Sequence, residues 1–232
     1  MGITYNTSVV KSGLVLHLDA ANVKSYPGSG TVWNDLSGNG GYATAYNSPT
    51  YIPMESFNFD GASDYFRFVR SDLNGGTFAY TNITVEIWIK PGSGNTGSSQ
   101  GNNLCTVENS FEISIGNLGN GYSAIQYASN PWAWYGTTTN GLINDTWNQL
   151  TYVHATTGRW IYVNGVQVFY RNDTGNISAG SAGYPYLTLM GRYDGTGSSA
   201  EGNLSSVKLY NRTLSQAEIK QNFESLRGRY GI

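Results

Sequence analysis

Four groups of residues have types and spacing that could do chemistry. Glu86 lies in Val85-Glu86-Ile87-Trp88-Ile89-Lys90, an alternating, strand-like run, and Glu108 and Glu112 follow it along the chain. A retaining glycosidase needs two carboxyl groups about 5–5.5 Å apart. Trp88 and Lys90 hold the alternate positions beside Glu86, so a solvated or paired carboxylate on an outward face is expected. His17-Leu18-Asp19 puts an imidazole and a carboxylate on one side of a strand, yet no nucleophile-elbow motif accompanies it. His17 and His154, the two histidines, are expected as hydrogen-bonded strand residues. With the single Cys105 they are too few for zinc. Asp60, Asp64 and Asp194 offer the hard oxygens that calcium takes, although Asp60-Gly61 is equally a turn. The run Asn130-Pro131-Trp132-Ala133-Trp134-Tyr135-Gly136 is the best binding candidate. Trp132, Trp134 and Tyr135 can stack on sugar faces, make a subunit contact, or fill the space between two sheets. All three readings stay open. Asn144-Asp145 and Tyr193-Asp194-Gly195 could add polar groups.

The elements that must position these residues are mostly strands. Leu14, Leu16 and Leu18 alternate, as do Ile83, Val85, Ile87 and Ile89, whose inward set leaves Glu86 and Lys90 outward. Phe57-Asn58-Phe59, a turn at Asp60-Gly61, and Tyr65 to Arg70 make two more strands. Further strands are expected at Phe111–Ile115, Tyr122–Tyr127, Trp147–His154, Leu187–Met190 and Leu204–Tyr210. Arg159–Val163 and Val166–Tyr170 flank Asn164-Gly165, the signature of a type I′ hairpin. Residues 91–103 and 194–203, rich in Gly, Ser and Asn, read as loops, and Cys105 as a small apolar residue beside the first. Ten to fourteen strands of about 5–6 residues would fill the chain. One helix ends it, with Ser215 and Glu218 as a capping box and Leu214 and Ile219 as a staple. Ile219, Phe223 and Leu226 form its buried stripe, and Gly228 its stop.

Composition agrees. Charged residues are 12% of the 232 against about 25% in ordinary domains, with 30 Gly and 18 Tyr. That profile argues against helix bundles and disorder and for one all-β domain over residues 1–232. A net charge of -2 argues against nucleic-acid binding, and no apolar run approaches a membrane span. One cysteine precludes an internal disulfide. The start, Met1 to Asn6, has no basic segment leading into an apolar stretch, so no signal peptide and folding in a cytoplasm are expected.

Several segments together resemble a laminin-G-like, concanavalin A-like jelly roll. They are Gly13–Ala20, Trp33–Gly40, Phe57–Gly61 with Asp64-Tyr65, Thr84–Ile89, Trp147–Leu150, Ile161–Gly165 and Gly202–Arg212. The tail Gln221–Gly231 is most similar to versions in tailed-phage virion proteins. The resemblance implies a two-sheet antiparallel jelly-roll sandwich with a short C-terminal helix. Its hydrolase branch carries E-x-D-x-x-E on a strand, where this chain has Glu86 alone. Many relatives carry calcium on an acid in the last strand, where this chain has Ser205. Fold does not settle function. The expected role is non-catalytic: a structural or adhesive virion protein, in capsid decoration, fibre or tail, with virion proteins or its own copies as partners. The alternative is a glycan-binding module using Trp132, Trp134 and Tyr135, and the remote alternative a glycoside hydrolase. No cofactor is required, with calcium the one candidate.

Overall fold

The computed structural model describes residues 8–69, 80–95, 102–117, 121–129, 133–137, 141–173, 177, 186–195 and 197–232. Its strands are β1 (Leu14–Asp19), β2 (Val32–Asn34), β3 (Tyr42–Tyr46), β4 (Thr50–Ile52), β5 (Ser56–Asp60) and β6 (Tyr65–Val69). Then come β7 (Ile83–Pro91), β8 (Asn102–Val107), β9 (Phe111–Asn117), β10 (Tyr122–Ser129), β11 (Ala133–Gly136) and β12 (Leu142–Ile143). The last are β13 (Asn148–Ala155), β14 (Gly158–Val163), β15 (Val166–Arg171), β16 (Tyr186–Leu189) and β17 (Glu201–Tyr210). They pair antiparallel into two sheets. One runs β15-β14-β13-β7-β17-β5-β4, with β1 also on β17; the other runs β11-β10-β9-β8-β16-β6-β3-β2, with β12 also on β10.

The inward residues of each strand make one shared core. Val85, Ile87, Ile89, Leu150 and Leu209 of the first sheet meet Phe66, Phe68, Ile113, Ile115 and Leu187 of the second. Trp33, Phe57 and Phe66 form a ring cluster, with centroids 4.8–5.2 Å apart, that closes one end. Burial of so much apolar surface, at about 25 cal/mol per Å², is what holds the two sheets together. The result is an all-β concanavalin A-like sandwich. The strand count exceeds the expected range because β2, β4 and β12 have only two or three residues, too few for an alternation to register. Cys105 sits within β8 with no solvent exposure, not beside a loop, and burial drives its thiol pKa up.

The Asn164-Gly165 turn has φ of 51° and 76°, the two positive values of a type I′ hairpin. Helix α1 (Gln216–Leu226) starts at Ser215 with both halves of the capping box formed, and Leu214 and Ile219 pack in one cluster. The α-helix ends at Leu226 with Arg227 as its C-cap, so Gly228 follows the cap as expected, but Gly228 is not left-handed. A 3₁₀ turn, Arg227–Tyr230, follows, and the left-handed residue is Gly231. Arg212 donates to both Glu218 carboxylate oxygens, at 2.6 and 3.0 Å. That hydrogen bonding, helped by the Ser215 amide and hydroxyl, holds the Glu218 pKa down at about 2. A depressed carboxyl stabilises above its unfolded pKa, so this contribution is lost as pH falls from about 4.5 toward about 2. The pair is part-exposed, so Glu218→Gln should cost about 1 kcal/mol or less at neutral pH. The difference from the parent should vanish near pH 2 in acid-dependent denaturation.

The helix lies on the outer face of the eight-stranded sheet. Tyr230 stacks on Trp88 at 4.0 Å, with Phe223 beside it, and Asn222 points down into the interface. Among the described residues no helix is long and apolar enough to cross a membrane.

Candidate functional site

Among the described residues, no helix lies over the outer face of the nine-stranded sheet. Alternation and register put one outward residue from each strand into a row. Arg67 of β6 pairs Thr44 of β3 and Thr188 of β16; Thr188 pairs Thr106 of β8; Thr106 pairs Glu112 of β9; Glu112 pairs Ala128 of β10; Ala128 pairs Trp134 of β11. With strands about 4.8 Å apart, the row sets a tryptophan at one end, a carboxylate two strands in and a guanidinium three strands beyond.

Arg67 is caged by tyrosines. Its guanidinium lies 5.2, 4.9 and 4.8 Å from the ring centres of Tyr46, Tyr65 and Tyr186, and Nη2 donates to the Tyr193 carbonyl at 3.1 Å. Tyr46 stacks on Tyr65 at 4.8 Å and remains 38% exposed, so the cage opens to solvent. Cation–π contact of this kind stabilises a fixed geometry. The segment after β16 folds back over the middle of the row, where Thr106 donates to the Gly191 carbonyl at 3.3 Å. It carries Arg192, paired to Asp194 at 3.3 Å and donating to the Tyr193 hydroxyl. Gly195 has φ of +75°, and a Cβ there would lie 2.7 Å from the Tyr65 hydroxyl, so only glycine lets the segment approach the cage.

Glu112 is drawn into this group. Burial raises its pKa, Arg192 opposes, and Asp194 and Glu108 add to the rise. Glu108 reaches in from the β8–β9 turn. Arg67 Nε, Glu108 Oε2 and Thr188 Oγ1 are buried with no hydrogen-bond partner among the described residues. Polar atoms left in that state mark places that water or a ligand completes. Three carboxylates, two guanidiniums and four tyrosines therefore share one face. The chemistry they offer is stacking plus multiple hydrogen bonds to hydroxyls.

Of the residues singled out in the sequence, Trp134 stands on this face, half-buried. Tyr135, next in β11, points the other way. It packs on the core beside Tyr127 at 5.8 Å, under the Arg171 guanidinium at 3.4 Å. Trp132 lies outside the described residues. Glu86 is on the opposite sheet. It is paired but not solvated, with no exposure: Lys208 Nζ lies 2.6 Å from Oε1 and Asn222 donates to Oε2 at 2.8 Å. Neither Glu108 nor Glu112 approaches it, since they serve the other outer face. Arg229 Nη1 donates to both Asp19 carboxylate oxygens, at 2.8 and 2.9 Å, and the hydroxyl of Ser206, opposite Asp19, has no hydrogen-bond partner among the described residues, so these residues do not make a triad. Burial and Lys208 push the His17 imidazole pKa down to about 3, keeping it neutral. His154 meets the Tyr152 hydroxyl at 3.1 Å in the interior.

Asp60 accepts from the Ala62 and Ser63 amides as a turn residue, and burial and Asp60 together raise the Asp64 pKa. Ser205, at the position where the family resemblance implies an acid, donates to the Glu55 carbonyl and accepts from the Tyr230 hydroxyl. Among the described residues no three His, Cys, Asp or Glu side chains are grouped to hold a metal ion. The residues missed in the sequence are Arg67, its tyrosine cage and Arg192. One signal was available: the Tyr65-Phe66-Arg67-Phe68 alternation already puts Tyr65 and Arg67 together on the face away from the core.

Two facing antiparallel sheets, with one outer face given over to aromatic and polar side chains, define a lectin-type jelly roll. A family model described as the concanavalin A-like lectin/glucanases superfamily, Laminin_G_3, matches residues 60–220, and the chain belongs to that family. Among solved structures, the botulinum neurotoxin serotype D ligand binding domain in complex with N-acetylneuraminic acid is 16% identical with a TM-score of 0.66, over 93% of this chain and 51% of that one. The binding domain of botulinum neurotoxin DC in complex with SialylT is 14% identical with a TM-score of 0.65, over 94% and 52%. A Trypanosoma rangeli sialidase in complex with the inhibitor DANA is 14% identical with a TM-score of 0.64, over 93% and 33%. At these identities the likeness is one of fold. The chain spans about half the length of the toxin chains and a third of the sialidase. A comparison with curated proteins gives no match. None of these three structures is a phage virion component, so the virion expectation gains nothing from them.

Proposed function

We propose that this chain is a carbohydrate-binding module that takes glycan on the outer face of its nine-stranded sheet. The observation that carries the reading is the row from Trp134 through Glu112 to the tyrosine-caged Arg67, with orphaned polar atoms buried along it. A sugar ring presents an apolar face and a rim of hydroxyls, and this row offers an aromatic plate followed by carboxylate and guanidinium partners. Membership in a lectin and glucanase family supports the same reading. So does sialic acid in the serotype D toxin domain, although that chain is twice as long and its sugar marks no position here. This puts binding ahead of a purely structural virion role.

The test is a glycan array followed by titration of the best ligand. Trp134→Ala is expected to weaken binding about tenfold, equivalent to about 1.4 kcal/mol, and Glu112→Gln to alter which hydroxyl patterns bind. Absence of saturable binding to every array glycan would sink the proposal. A second reading, glycoside hydrolysis, is favoured by one observation: Glu112 has a raised pKa beside Glu108 and Asp194, the pattern of a general acid near a second carboxylate. Its mark would be release of reducing ends from a bound glycan, abolished by Glu112→Gln. Binding without such release leaves the module non-catalytic.

A further inference from the structure

On the opposite sheet, between the ends of β13 and β14 and the start of α1, lies a cavity of about 360 Å³. Trp160 and Tyr162, two apart on β14, form one wall; Asn82, Thr156, Thr157 and Gln216 stand around the opening. Every lining side chain is uncharged. Tyr162 is only 7% exposed, and its hydroxyl makes no hydrogen bond among the described residues although the side chain lines the cavity. Burial also raises its pKa. The wall is braced from behind: Trp160 packs on Tyr170 at 5.1 Å, and a Cβ on Gly158 would lie 2.9 Å from the Trp160 ring. Asn82 is held by the Thr156 amide, which donates to its Oδ1 at 3.1 Å, so its amide group is fixed at the rim.

We infer that this cavity is a second ligand site, which takes a neutral, hydroxylated ring such as one uncharged saccharide unit. The size falls within the range of small-molecule pockets, roughly 300–1,000 Å³. An aromatic wall whose Tyr162 hydroxyl makes no hydrogen bond among the described residues, ringed by threonine and amide groups, matches a ligand with one apolar face and several hydroxyls. A carboxylated ligand is disfavoured. No cationic side chain lines the cavity, and the Glu218 carboxylate, which accepts from the amide of the lining residue Ser215 at 2.9 Å, repels another anion. The site shares no residue with the Trp134 face, so the inference stands apart from the function proposed above.

Saturation-transfer NMR tests it on the full chain carrying Trp134→Ala, which weakens the other face, so that loss of signal on changing Thr157 reports this cavity. The probes are methyl glycosides of glucose, galactose and N-acetylglucosamine, with N-acetylneuraminic acid as the charged comparison. At least one neutral probe should receive transfer, and the charged one none. Thr157→Arg, at an exposed turn, should fill the mouth and reduce the transfer at least about tenfold. Tyr162→Phe removes only the hydroxyl and should weaken binding about fivefold, the value of one net hydrogen bond. Folding of each variant is checked by its melting curve, and Tyr162→Phe, nearly isosteric, keeps the test alive if Thr157→Arg unfolds. The inference is overturned if no neutral probe receives transfer, if Thr157→Arg leaves the signal unchanged, or if the acidic sugar binds best.

Discussion

Lys208→Met is expected to lower the unfolding free energy by about 3–5 kcal/mol, the range for breaking a buried ion pair from one side. Lys208 and Glu86 face each other across β17 and β7 with no exposure of either side chain. Asn222 of α1 occupies the second carboxylate oxygen and also donates to the Tyr210 hydroxyl, whose own proton goes to the Val10 carbonyl. Methionine fills the space but leaves the Glu86 charge in a dry layer beneath the helix. Glu86→Gln alone removes the charge from the acid and leaves an unpaired ammonium, so it too is costly. The double variant, Glu86→Gln with Lys208→Met, should recover most of the loss, because no buried charge remains. Urea denaturation at neutral pH measures all three. A loss below about 1 kcal/mol for Lys208→Met would mean that water reaches the pair. The same result bears on chemistry: a glutamate that ties a sheet to its covering helix is not free to act on a sugar.

How much of this was legible in the sequence depends on the distance over which each feature is determined. The hairpin at Asn164-Gly165 and the capping box at Ser215 and Glu218 are local, and four residues specify each. Inward and outward faces of the longer strands are legible for the same reason, since alternation needs only a neighbour's neighbour. Alternation does not say whether an outward face is dry. Glu86 pointed outward as expected, yet Asn222, 136 residues later, closes over it. The α-helix ends just before Gly228 as expected, but the left-handed residue is Gly231, because the chain continues as a 3₁₀ turn that lays Tyr230 on Trp88, a contact no local signal encodes. The candidate site fails to show for a related reason. Arg67 meets Thr188, and Glu112 meets Ala128, through register, and register between distant strands is set by the whole sandwich. Trp134 and Tyr135 drew attention together as neighbours in sequence, but a strand sends neighbours to opposite faces.

Gly136→Ala is expected to abolish Trp134-dependent glycan binding although it adds nothing to the binding face. A Cβ at Gly136 would lie 1.9 Å from the Ile125 carbonyl oxygen and 2.8 Å from the Gln126 Cα. Both obstacles are backbone of β10, so no side chain can rotate away. The displaced partner must be β11, because it is the four-residue edge strand while β10 is held from its other side by β9. Its end is pinned just there: the Thr137 amide donates to the Ile125 carbonyl at 2.9 Å, and the Ile125 amide to Thr137 Oγ1 at 3.0 Å. Lifting that end carries Trp134 away from Ala128 and Glu112. Overpacking of this kind costs about 1–3 kcal/mol, which the rest of the core can absorb. The expected outcome is a folded protein whose glycan affinity falls by tenfold or more, matching Trp134→Ala. Hydrogen exchange should show faster exchange at Thr137, with Ile113 and Ile87 still protected. If Trp134→Ala weakens binding and Gly136→Ala does not, β11 is not what holds the tryptophan in place, and the row is not the binding unit.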